Sequence, residues 1–160
     1  MEESGFYKVV GFILAILFAV VIGLCVFALL YTDFAQSGGI INDRERTTLR
    51  IAASAGAIAA LLAWLLQSFA AHRSFATRFF YGLIVFVLVF SALGGLFELV
   101  HAMLTSPTPV DLSLSGIYFA SLSAFYAFAI SLVGSSIPAF IGLVLAAGLI
   151  LAAVGPRRVY

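Results

Sequence analysis

The stretch Ile51–Ala71, IAASAGAIAALLAWLLQSFAA, decides the fold. It carries no charged side chain, and at ~1.5 Å per residue it is long enough to cross ~30 Å of hydrocarbon. Hydrocarbon offers no water to the backbone, so each N–H and C=O must pair inside its own segment, and a run of this kind becomes a helix. Three further stretches behave the same way. Val9–Tyr31 is uncharged; Phe79–Leu104 is uncharged up to Glu98; Leu112–Gly155 is uncharged throughout.

Composition agrees. The 160 residues are 64% hydrophobic and 9% charged, with a mean hydropathy of +1.20. Soluble domains carry charge on roughly a quarter of their residues. The longest polar connection, Thr32–Arg50, is too short to hold a second domain, so a single membrane bundle uses residues 1–160. The expected class is therefore an all-α integral membrane protein: an up-down bundle of four transmembrane helices, or five if both halves of the last segment cross. The N-terminus opens with acidic Glu2 and Glu3 and the first apolar run is longer than a signal-peptide core, so the first segment is expected to stay as a helix.

Small residues mark where helices approach. Gly11, Ala15, Ala19 and Gly23 recur every four positions in the first segment, Gly56 and Ala60 do so in the second, and Ser91 and Gly95 in the third. This spacing lets two membrane helices pack closely. The alanines that open the second segment point to a place inside the bundle. Trp64, near its exit, reads as an anchor at the headgroup level. Between the first two segments, Asn42 or Asp43 is placed to cap a helical extension with Glu45 in its first turn. His72–Arg78 is a tight turn that makes the second and third segments a hairpin. Pro107 and Pro109 stop the third segment, and Asp111 or Ser113 caps the next helix.

The last segment holds about 44 uncharged residues, against ~20 for one span. Gly134-Ser135-Ser136-Ile137-Pro138 supplies the expected break, since glycine loosens a helix and proline removes a donor. Its broken halves are expected to cover the end of the bundle that bears Glu98 and His101.

Glu98 is the one carboxylate inside an apolar run, and His101 lies three residues on, so both share a helix face. An ionised carboxylate at that depth costs several kcal/mol unless it is paired, hydrated or protonated. Three readings fit: a proton- or ion-coupling pair, an interhelical hydrogen bond, and solvation at the interface. A carboxylate-bridged metal centre needs further acids and histidines on facing helices, and the only other histidine, His72, lies at the far end of the third segment. No phosphate-binding loop or hydrolytic triad is placed by spacing. No metal and no cofactor is expected, and an enzyme is the least supported class.

A net charge of +1 with no basic cluster excludes a nucleic-acid surface. The expected partners are other membrane protein subunits or further copies of the chain, together with lipids. Two functions fit: an accessory or assembly subunit of a larger membrane complex, and a small transporter or channel component working through Glu98 and His101. A bacterial inner membrane with both termini in the cytoplasm is the expected location. Four crossings then set Lys8, Arg73, Arg78, Arg157 and Arg158 inside against Arg44, Arg46 and Arg50. Five crossings with the N-terminus outside give the same ratio, but only the first puts both the His72–Arg78 turn and the terminal arginine pair inside.

Overall fold

A computed structural model describes residues 3–38, 40–105, 113–133 and 137–156. Among them there are only helices: α1 (Glu3–Gly38), α2 (Asp43–Leu66, extended by a 3-10 turn over Gln67–Ala70), α3 (Phe75–Thr105), α4 (Leu114–Val133) and α5 (Ile137–Val154). The protein is an integral, multi-spanning helical membrane protein. α1, α2 with its turn, α3 and α5 are each long and apolar enough to cross a bilayer; α4 has 20 residues.

Local chemistry sets the boundaries. Asn42 begins α2 with a reciprocal cap: its Oδ1 accepts from the Glu45 N–H at 2.8 Å, and the Glu45 carboxylate accepts from the Asn42 N–H at 2.9 Å. Two otherwise orphaned donors are satisfied this way, and α2 starts eight residues before its uncharged run. Ser113 begins α4 by accepting the Gly116 N–H at 3.1 Å; Asp111 lies outside the described residues. Pro138 is the second residue of α5, where a missing N–H costs nothing. Gly134, the other half of the expected break, also lies outside them.

α2 supplies the middle of the bundle. Its buried face runs Leu49, Ala52, Ala55, Gly56, Ala59, Ala60, Ala63 and Trp64. Side chains this small let α1 close on one flank and α3 on the other. A Cβ on Gly23 would stand 3.1 Å from the Ala53 carbonyl, and one on Gly56 would stand 3.0 Å from Val26 and 3.4 Å from the Phe90 ring. Ala15 and Ala19 are buried in the core with Ala60. Gly11 has nothing within 4 Å of its would-be Cβ, so the stripe on α1 makes close contact over only part of its length. Trp64 is not an interfacial anchor. It is 4% exposed, packed in the α1–α2 core with its ring 5.8 Å from that of Phe18.

α3 is the hub, packed against α2, α4 and α5. α5 runs antiparallel to it: Phe140 meets Phe90 with ring centroids 5.9 Å apart, and Leu151 lies against Gly82. Farther along, Tyr118, Ser121 and Leu122 of α4 face Ala92, Gly95, Leu96 and Leu99 of α3. Of the two halves of the last segment, it is α4 that lies beside the stretch of α3 bearing Glu98. Since α1 and α2 are also antiparallel, with Phe18 beside Trp64, three features gather at one end of the bundle. These are the start of α1, the α2–α3 turn and the end of α5.

Candidate functional site

Glu98 and His101 sit in the last three turns of α3, both half-buried. At 100° per residue their directions differ by about 60°, so they share a face. Neither side chain makes a hydrogen bond or an ion pair among the described residues, and the His101 backbone carbonyl accepts from the Thr105 hydroxyl at 2.8 Å. On the neighbouring face of the same helix, Ala92, Gly95, Leu96 and Leu99 line an open cleft of about 370 Å³. Tyr118, Ser121 and Leu122 of α4 form its opposite wall. Gly95 is buried there and Ser91, one turn earlier, is half-buried. The cleft is almost wholly apolar, with the Tyr118 and Ser121 hydroxyls as its polar side-chain groups. The arrangement can seat an apolar side chain or an acyl chain; among the described residues its lining brings no acid or base to Glu98. Among the described residues no group of three or more His, Cys, Asp and Glu side chains is placed to hold a metal.

The polar site that sequence reasoning missed is at the opposite end. Gln67 and Arg78 are the buried polar or charged residues among those described, at 0% and 4% exposure. Gln67 ends α2, and its Nε2 donates to the Arg78 carbonyl at 3.0 Å and the Leu151 carbonyl at 3.3 Å. Arg78, in the first turn of α3, carries its guanidinium to the end of α5, where Nη2 donates to the Gly155 carbonyl at 2.9 Å. Longer approaches of 3.5 Å reach Leu151 and Pro156. A helix C-terminus leaves its last carbonyls without intrahelical donors and is the negative end of the helix dipole, so a cation there is favoured twice. Gly155 makes room: a Cβ on it would fall 2.3 Å from the Leu151 carbonyl and 2.9 Å from the Gln67 side chain. Gln67 Oε1, buried, has no hydrogen-bond partner among the described residues.

Nothing in the local sequence marks this knot. Gln67 and Arg78 both lie at segment boundaries, and apart from the Arg78 carbonyl, 11 positions from Gln67, their acceptors are backbone atoms 73 to 84 positions away. The one available signal was a glutamine inside an otherwise apolar run. Compared with known protein families, curated proteins and solved structures, the chain matches none of them.

Proposed function

We propose that this protein is an accessory or assembly subunit of a larger membrane protein complex. One observation carries the reading. Among the described residues, the buried polar side chains are Gln67 and Arg78, and their hydrogen bonds go to backbone carbonyls at one end. A conduction or transport path needs polar groups in series through the bundle. Between that end and Glu98 the core is instead Ala52–Ala63 of α2 with Phe86 and Phe90 of α3. Outward, Phe12, Leu24, Phe80, Leu88 and Leu104 are all more than half exposed, faces that lipid or other helices cover. The open cleft between α3 and α4 offers a neighbour's apolar side chain a seat.

The same reading sets the protein in a bacterial inner membrane with the shared end of α1 and α5 in the cytoplasm. That end has Lys8, Arg73 and Arg78, with Arg157 and Arg158 following in sequence, against Arg44, Arg46 and Arg50 at the other.

The test is native mass spectrometry of the protein extracted gently from its own membrane at natural abundance. A stoichiometric hetero-complex is the expected result. A monomer or homo-oligomer, joined to an ion or proton flux that Glu98→Gln abolishes, would overturn it in favour of a small transporter.

A further inference from the structure

At the end of the bundle opposite Arg78, α1 and α2 enclose a second pocket, of about 430 Å³. Phe27, Tyr31 and Ala35 come from one face of α1, Leu49, Arg46 and Arg50 from one face of α2, and Ile40 and Ile41 from the connection between them. The register of the two helices fixes its height. Gly23 lies against Ala53 and Ala57, and Phe18 against Trp64, so Arg50 comes level with Tyr31. Tyr31 closes the uncharged run of α1 and Arg50 immediately precedes that of α2. Both helices therefore change from apolar to polar at the mouth of this pocket, which is where a bilayer changes from acyl chain to headgroup.

The lining is divided accordingly. Phe27 and Tyr31 stack with centroids 6.0 Å apart and ring planes 18° from parallel, giving a flat aromatic wall. Ile40 is 86% exposed at the rim, an apolar side chain that water alone would not favour there. Above the wall stand two guanidiniums one helical turn apart. Arg50 has no side-chain hydrogen bond or ion pair among the described residues. Arg46 has one acidic neighbour, a fully exposed Asp43 at 3.7 Å, and a pair of that kind is weak. Glu45 is turned back into the α2 cap, and Asp33 lies ~200° around α1 from Tyr31. The pocket is thus a cationic lip over an apolar floor.

We propose that this pocket binds an anionic phospholipid. The phosphodiester lies between Arg46 and Arg50, whose planar forks match phosphate oxygens. The first part of an acyl chain lies on Phe27 and Tyr31 and continues down the exposed flank of α1 at Leu24 and Val20. This site does not depend on the chain joining a complex.

The experiment measures association of spin-labelled phosphatidylglycerol and spin-labelled phosphatidylcholine with the full-length protein in phosphatidylcholine vesicles. The native protein is expected to prefer the anionic lipid by about 30-fold, at ~1 kcal/mol for each of two arginines at the membrane surface. Arg46→Gln/Arg50→Gln should bring the ratio near one, and Arg44→Gln, on the same turn but outside the pocket, should leave it unchanged. All three side chains are exposed, and an unchanged circular dichroism melt verifies that the variants fold. No preference in the native protein would overturn the proposal. So would an equal loss in Arg44→Gln, which would mean diffuse surface charge, or displacement of the lipid by inorganic phosphate, which would mean a free-anion site.

Discussion

The two ends of α3 handle polar side chains in opposite ways. Arg78, in its first turn, is buried and spends its charge on the carbonyls at the end of α5, with Gln67 bridging from α2. Glu98 and His101, in its last turns, are half-buried and make no bond to one another. A charge surrounded by apolar sequence is not thereby a charge inside the protein. What removes a side chain from solvent is a neighbouring element, and that element arrives from far along the chain.

Three substitutions probe this contrast. Arg78→Met, close in volume, removes the guanidinium and leaves the Gly155 carbonyl without its 2.9 Å donor. Charge-assisted bonds and the cost of a stranded acceptor set the expected loss at about 3 kcal/mol, read from reversible unfolding in mixed micelles. Gln67→Leu loses two donations but also removes the buried Oε1, which has no partner among the described residues, so a smaller loss of about 1 kcal/mol is expected in the same assay. Glu98→Gln should shift stability by no more than about 0.5 kcal/mol, since no described bond is lost. Should Glu98→Gln prove as damaging as Arg78→Met, the contrast between the two ends would collapse.

Much of the architecture was legible from residues alone. The uncharged runs gave the helices, and Asn42 with Glu45 gave the start of α2, because spans and caps are local properties of a few neighbouring side chains. Trp64 went astray for a related reason: its position near the end of a run suggests the interface, but the packed α1–α2 pair buries it beside Phe18. The Gln67–Arg78 knot was out of reach because its acceptors are carbonyls of Leu151 and Gly155, and a backbone oxygen has no signature in a sequence. Glu98 stood out in the apolar run for the converse reason, since hydropathy registers a charge and not its surroundings.

The knot also has a dimension in time. Arg78 is synthesised 73 residues before Leu151 and 77 before Gly155. At ~5–20 residues per second that interval is about 4–15 s. Through it the α2–α3 hairpin exists without the helix end that receives its guanidinium, and the arginine must reach out to headgroups and water. α5 is therefore a latch that closes last, and its arrival converts an arginine that holds the hairpin at the surface into one that holds the bundle shut. A ribosome stalled before Leu151 would leave that latch open.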